Sequence, residues 1–250
     1  MSLMKGYRYR DLSLVDLHSG EKLVIACDSS AGIGEKEDDM VKIAPSIMAA
    51  YSLRVPLMEL FCFKAKPIAV IDTIGNEMTP TGKKIILGIK QELVKAGLTN
   101  LPLNGSTEDN MVTQTTSLGV TVIGVIASSS DTGALFDEQL SVYQLGTPYV
   151  GEMVKKHLSD IFSYDLVKKI RLDPAVLDML PVGSKGIKYE TNQMALSHQL
   201  KITPIGNWDA PEFSQSAGPA TVILIGVKKQ QARNFHSRYP QLKLIACLDR

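Results

Sequence analysis

The sequence predicts a mixed α/β (α+β) protein of two domains. Apolar runs of strand length, such as LVIAC at 23–27 and TVILIGV at 221–227, alternate with stretches of helical periodicity in both halves. A small, polar segment, ASSSDTGALFDEQ at 127–139, separates those halves and reads as a boundary. The chain has 250 residues, 44% of them hydrophobic, enough for two cores of ordinary size. The domains are therefore expected at 1–127 and 128–250.

In chain order, YRYRDLSLVDL alternates as a strand, and DLHSGEK supplies turn chemistry before a buried strand over 22–27. MVKIAPSIMAAYSLRVPLMELFCFKA carries apolar residues at helical spacing. Pro45 suits a first turn, where its missing N–H costs nothing, and Pro56 divides the stretch into two helices. KPIAVIDTIG is a third strand. The clearest helix is TPTGKKIILGIKQELVKAGL, with Ile85, Ile86, Ile89, Leu93 and Leu98 on one face and Gly97 as its stop. A polar loop, LPLNGSTEDN, leads into a strand over 118–126. The second half offers a helix near 148–162, an apolar stretch over 175–182 and the glycine loop PVGSKGIKYE. A helix near 188–199, a strand over 221–227, a helix over 228–238 and a last strand, LKLIACL, complete it.

Composition excludes several functions. With 27 basic and 26 acidic residues, the chain lacks the positive field of a nucleic-acid binder. Its one basic stretch, GVKKQQARNFHSR at 226–238, reads as the wet face of a helix. Cys27, Cys62 and Cys247 form no CxxC pair and read as reduced core thiols. His18, His157, His198 and His236 are dispersed, without zinc spacing. No apolar run approaches the ~20 residues of a membrane span, and MSLMKGYRYRDL has no signal-peptide pattern. A cytoplasmic protein without membrane or nucleic-acid partners is expected.

The chemistry-bearing residues fall in clusters. DSSAGIGEKEDD (28–39) packs five acids beside two glycines at the end of a strand. Asp28, Glu35, Asp38 and Asp39 are oxygen ligands of the kind Mg²⁺ takes, and a solvated loop is the plain alternative. Glu59 sits in an apolar segment, where a carboxylate must find a partner or a cation. Asp72, ending a strand, reads as a turn residue. NGSTEDN (104–110) joins glycine, hydroxyls and two acids, the pattern of a phosphate site or of a helix-to-strand loop. PVGSKGI presents backbone N–H groups and Lys185 to a phosphate. The P-loop, GxGxxG and GxSxG motifs are absent. A pair of carboxylates would also serve glycoside hydrolysis, but four acidic clusters on separate loops point to metal and polyphosphate.

The order of these clusters resembles the PurM-like (aminoimidazole ribonucleotide synthetase-related) superfamily, which includes thiamine-monophosphate kinase, selenophosphate synthetase and a hydrogenase maturation protein. Met58-Glu59-Leu60 and Lys64-Ala65-Lys66-Pro67 resemble the family's Asn-Asp-(Leu/Ile) and Gly-Ala-x-Pro, with Glu for Asp and Lys66 in an acid's place. Gly105-Ser106-Thr107-Glu108 resembles its Gly-Gly-(Glu/Asp)-Thr loop, with the acid one place late. DSSAGIGEKEDDMVK, GSTEDN, PVGSKGIKYE and SAGPATVILIG further resemble the alpha-ribazole kinases of cobalamin salvage, over about residues 8–248.

The resemblance implies a two-domain PurM-like fold. The small N-terminal sheet would complete a barrel with its copy in a homodimer, and the C-terminal domain would be α/β. It also implies ATP as co-substrate, with Mg²⁺ on Asp28, Glu59 and Glu108, and with Asp38, Asp39 and Asp109 as neighbours that could substitute. Gly32, Gly34, Lys36, Gly105, Ser106, Gly183, Ser184 and Gly186 would line the nucleotide. The implied reaction is phosphoryl transfer to the 5′-hydroxyl of a riboside, alpha-ribazole. Lys36 or Lys185 would offset charge, and Asp39 or Asp109 would orient the hydroxyl. Another small-molecule kinase or ATP-dependent ligase of the superfamily, or a noncatalytic nucleotide-binding assembly protein, are the alternatives.

Overall fold

The computed structural model describes residues 5–129 and 138–250. The core of the expected boundary segment, 130–137, lies outside the described residues. The chain divides into two compact units, Met1–Leu60 with Ala65–Ser129, and Phe61–Lys64 with Ser130–Arg250.

The first unit runs β1 (Gly6–Tyr9), β2 (Leu12–Asp16), β3 (Glu21–Ala31), β4 (Ile33–Gly34), β5 (Val41–Lys42), α1 (Pro45–Cys62), β6 (Lys66–Ile74), α2 (Lys83–Lys95), β7 (Leu103–Thr107) and β8 (Ser117–Ala127). Six strands form one sheet in the order β1-β2-β3-β8-β6-β7. Only the β6–β7 pair of this sheet is parallel. Period-two alternation gives the sheet two faces. Leu118, Val120 and Val122 of β8 are buried, whereas the intervening Gly119, Thr121 and Ile123 are only half-covered. α1 lies on the buried face. The Ser30 and Ser52 hydroxyls meet at 2.7 Å, and Leu60 packs where Gly124 has no side chain.

Several local expectations change. The strand expected from YRYRDLSLVDL is the β1–β2 hairpin, turned at Arg10 with φ 53°. Pro56 does not divide the first helical stretch but lies inside one helix. An interior proline costs about 3 kcal/mol, and here burial outweighs it: Leu53, Leu57, Met58 and Leu60 are all fully buried. β3 is longer than expected and half-exposed, so Cys27 faces solvent rather than a core, while Cys62 is buried. α2 keeps its apolar face and its Gly97 stop (φ 72°), but a kinked turn, Met78–Gly82, with Thr79 extended, precedes it. Part of the NGSTEDN loop is the edge strand β7.

The second unit runs β9 (Leu140–Gly146), α3 (Glu152–Lys156), α4 (Tyr164–Arg171), β10 (Val176–Pro181), α5 (Gly186–Ser197), β11 (Lys201–Pro204), β12 (Val222–Lys228), α6 (Ala232–Arg238) and β13 (Lys243–Asp249). Its five strands form an antiparallel sheet in the order β10-β12-β9-β13-β11. β9, α4 and β11 are additions to the sequence reading. The helix expected near 148–162 contracts to α3 and a 3-10 turn at Leu158–Asp160; α4 then starts at Ser163, whose hydroxyl accepts from Leu166 N–H at 3.3 Å. The basic stretch is tied into surface ion pairs, Lys228–Glu138, Lys229–Asp249 and Arg238–Asp173. Among the described residues no helix is long and apolar enough to cross a membrane.

α1 and α2 cross closely. A Cβ built on Gly88 would lie 2.0 Å from the backbone oxygen of Ser46. A Gly→Ala change in a helix interior normally gains up to about 1 kcal/mol. Here Gly88→Ala should instead lose about 1–3 kcal/mol to overpacking, read as a lower urea midpoint at unchanged slope.

Candidate functional site

Three loops meet at one end of the first sheet: 32–44 after β3, 75–82 after β6 and 108–116 before β8. Asp39 joins the first to the third. It is 4% exposed; Oδ1 accepts from Thr116 N–H at 2.7 Å, and Oδ2 accepts from the Thr116 hydroxyl at 2.7 Å and from Lys36 N–H at 2.8 Å. Gly34 lies against the same group, its missing Cβ only 2.2 Å from Thr116 Oγ1. Gly32, at φ 71°, turns the chain, donates its N–H to Thr116 O and accepts from Met40 N–H. Gly34 is thus demanded by the loop's packing and Gly32 by its backbone angle.

Lys36 crosses to the second loop, where its Nζ lies 2.6 Å from Glu77 Oε2; the other Glu77 oxygen accepts from the Thr81 hydroxyl. Burial pushes the Glu77 carboxyl up, but the hydrogen bonds from Lys36 and Thr81 outweigh it and hold the group at about 2. Glu35 pairs with Lys84 in parallel. Asn76, wholly buried, binds Thr113 Oγ1, Thr115 O and Ser117 N–H at 2.6–2.8 Å. Sequence reasoning passed over Asn76, Glu77 and Thr116. The available signal was Asn-Glu directly after a strand, with Thr81 one helical turn beyond Glu77.

The third loop carries Glu108 and Asp109. Glu108 Oε1 accepts from the N–H groups of Asn110 and Met111, while its own N–H donates to Ile74 O and Asn76 O. Asp109 accepts from Thr107 Oγ1 at 2.6 Å and Met78 N–H at 2.9 Å, bonds that lower its pKa. Asp38 is exposed, with its N–H on Gln114 O. Gly105 and Ser106 lie on β7, at the sheet edge. Gly105 must be glycine, because Asp72 Oδ1 stands 2.2 Å from the position a Cβ would take.

Asp28, half-buried on β3, shares a row across the sheet with Val120 and Asp72. Burial raises its pKa to about 6, and the Ser29 backbone only partly opposes that shift. Glu59 lies half-buried on α1. The three acids assigned to Mg²⁺ do not fit it as a set. Among the described residues no group of three or more carboxylate, histidine or cysteine side chains is gathered to hold a metal, and Glu108 is engaged within its own loop.

The glycine loop belongs to the second unit, at the start of α5. Gly186, at φ 82°, packs against the backbone of residues 213–215, and Gly183 O accepts from Ala217 N–H. Ser184 and Lys185 are exposed. The Lys185 ammonium lies 4.3 Å from the centre of the Tyr189 ring.

No protein-family profile and no curated protein sequence matches the chain. Solved structures do. AaThiL complexed with AMPPCP and TMP is similar with a TM-score of 0.65 at 14% identity, over 96% of this chain and 84% of that one. Thiamine monophosphate kinase from Aquifex aeolicus gives 0.62 at 13%, over 92% and 86%. Thermotoga maritima PurL complexed with ATP gives 0.63 at 14%, over 94% of this chain but only 42% of the PurL chain. At these identities the likeness is one of fold.

Two consequences can be measured. Asp28 is normally 3.8 and stands at about 6 in the folded chain, so the native state holds the extra proton between those values. Stability therefore falls as pH rises from about 4 to 6, by up to about 3 kcal/mol at 1.36 kcal/mol per pK unit. Asp28→Asn should flatten that part of a urea stability–pH profile. Asp39→Ala would leave the Thr116 hydroxyl and two N–H groups unmet, lowering stability by about 1–3 kcal/mol and loosening the 32–44 loop in hydrogen exchange.

Proposed function

We propose that the chain is an ATP-dependent phosphotransferase acting on a small molecule, with the polyphosphate at the three-loop end of the first sheet. The observation that carries this is Lys36, held at 2.6 Å by Glu77 amid the acidic loops. Phosphoryl transfer needs fixed charge and positioning more than covalent chemistry, and such a lysine supplies both. The fold likeness to structures complexed with ATP, and with AMPPCP and TMP, supports the reading.

Within it, Lys36 offsets charge on the transferring group. Asp109, kept deprotonated by Thr107 and Met78 N–H, is better suited than Asp39 to orient an acceptor hydroxyl, because both oxygens of Asp39 already hold the loop. Lys185 and the Gly183–Gly186 turn would take a phosphate group in the second unit. Asp28 would hold a Mg²⁺ ion, which would neutralise charge on the polyphosphate. Thiamine-monophosphate kinases among the fold neighbours favour the broader reading, a superfamily kinase or ligase, over the narrower alpha-ribazole 5′-kinase. A noncatalytic nucleotide-binding partner is the second reading, favoured by the ungathered metal acids and by the likeness to HypE in a HypE–HypF complex, with a TM-score of 0.63 at 13% identity.

The open face of the first sheet carries Ile71, 42% exposed, beside half-covered Ile123 and Val125. We propose that a second copy covers it. Light scattering should then report a homodimer near twice 27.3 kDa.

The enzymatic test offers Mg-ATP with alpha-ribazole or thiamine monophosphate and follows ADP and phosphorylated product. Turnover should need an acceptor. Lys36→Ala should slow it about 10²-fold or more, as loss of a transition-state charge does, and Asp28→Asn should abolish it, both with the fold retained. ATP binding without transfer to either acceptor would move the noncatalytic reading ahead.

A further inference from the structure

A pocket of about 450 Å³ opens in the first unit between α2 and the edge strand β7, within the size range of small-molecule sites. Met78, Ile86 and Leu103 give it apolar walls, and Lys90 stands exposed beside them. Asp72 also lines it. That residue is 4% exposed, and among the described residues its carboxylate has no hydrogen-bond or ion-pair partner. Its Oδ1 occupies the space left by Gly105, so strand β7 is built around this group.

A buried carboxylate left unpaired costs several times what a paired polar group does. Burial raises the Asp72 pKa with no opposing interaction. Its oxygens open onto the pocket rather than into a sealed core, so a ligand's donor would take the place of water there. Apolar walls on either side suit a flat ring, and Lys90 suits an anionic substituent on it.

We propose that this pocket binds a flat nitrogen heterocycle bearing an exocyclic amine, whose N–H donates to Asp72 while its ring packs on Ile86 and Met78 and an anionic substituent reaches Lys90. Two sources share that chemistry, the base of a nucleotide co-substrate and the base of an acceptor. The inference rests on the ATP-dependent reading only in naming those sources.

Calorimetric titration of the full chain with adenosine, purine riboside (the same ring without the amine) and AMP tests it. Adenosine should bind at least tenfold more tightly than purine riboside, and Asp72→Asn should remove most of that difference. AMP should exceed adenosine in the wild type and fall to its level in Lys90→Ala. Ile86→Trp, which fills the pocket from a half-buried helix position, should weaken all three and keeps the test decisive if Asp72→Asn folds poorly. Displacement of adenosine by a non-hydrolysable ATP analogue would assign the pocket to the nucleotide, and simultaneous binding would assign it to the acceptor. Equal affinity for adenosine and purine riboside, or no binding of any probe, overturns the proposal. Such a result beside intact ATP turnover would do so without touching the kinase reading.

Discussion

The Asp39 carboxylate is the fastening on which the candidate site depends. Its three hydrogen bonds reach Lys36 on its own loop and Thr116 at the start of β8, residues far apart in sequence. The approach is so close that position 34 has no room for a side chain. With that clasp in place, Lys36 emerges pointing at Glu77, and the second loop is captured as well. A buried, fully bonded carboxylate of this kind gives a loop one conformation where water alone would leave many.

Two acids of this unit are driven in opposite directions. Glu77 is held near 2 by a lysine and a hydroxyl, whereas Asp28 stands near 6 because burial goes largely unanswered. The first is a structural ion pair whose contribution is present above about pH 4.5 and is lost as pH falls toward 2. The second costs stability once ionised, and a residue that costs stability is a natural partner for a cation brought by a ligand. The contrast separates the acids that build the loops from those left for chemistry. It does so without any difference in residue type.

That separation bears on the resemblance to PurM-like proteins. The expected mixed α/β architecture is present, and the chain shares its fold with solved structures at 13–14% identity. Substrate does not follow with it. Fold is set by the alternation of many apolar positions, which tolerates wholesale exchange, whereas substrate choice rests on a few side chains. Glu59 for Asp, and an acid displaced beyond Thr107, are changes in that small set.

Much of the fold was legible because hydrophobic period is a local property. α2, β6, β8 and β12 each announce themselves within a window of about ten residues. β9 and the β1–β2 hairpin did not. β9 is buried along nearly its whole length and so lacks alternation, and the hairpin turns on a positive φ at Arg10 that residue type does not signal. Pro56 was misread because a local rule was overruled by burial on all sides of α1. In the site, the sequence alone determined which residues carry charge and where glycine is found. Only the tertiary structure decided that Gly34 and Gly105 are spaces kept for Thr116, Asp39 and Asp72, that Glu77 partners Lys36, and that Asp72 lines a pocket rather than a turn. Charge belongs to the residue, but desolvation and pairing belong to the neighbours, and those arrive only when distant strands align.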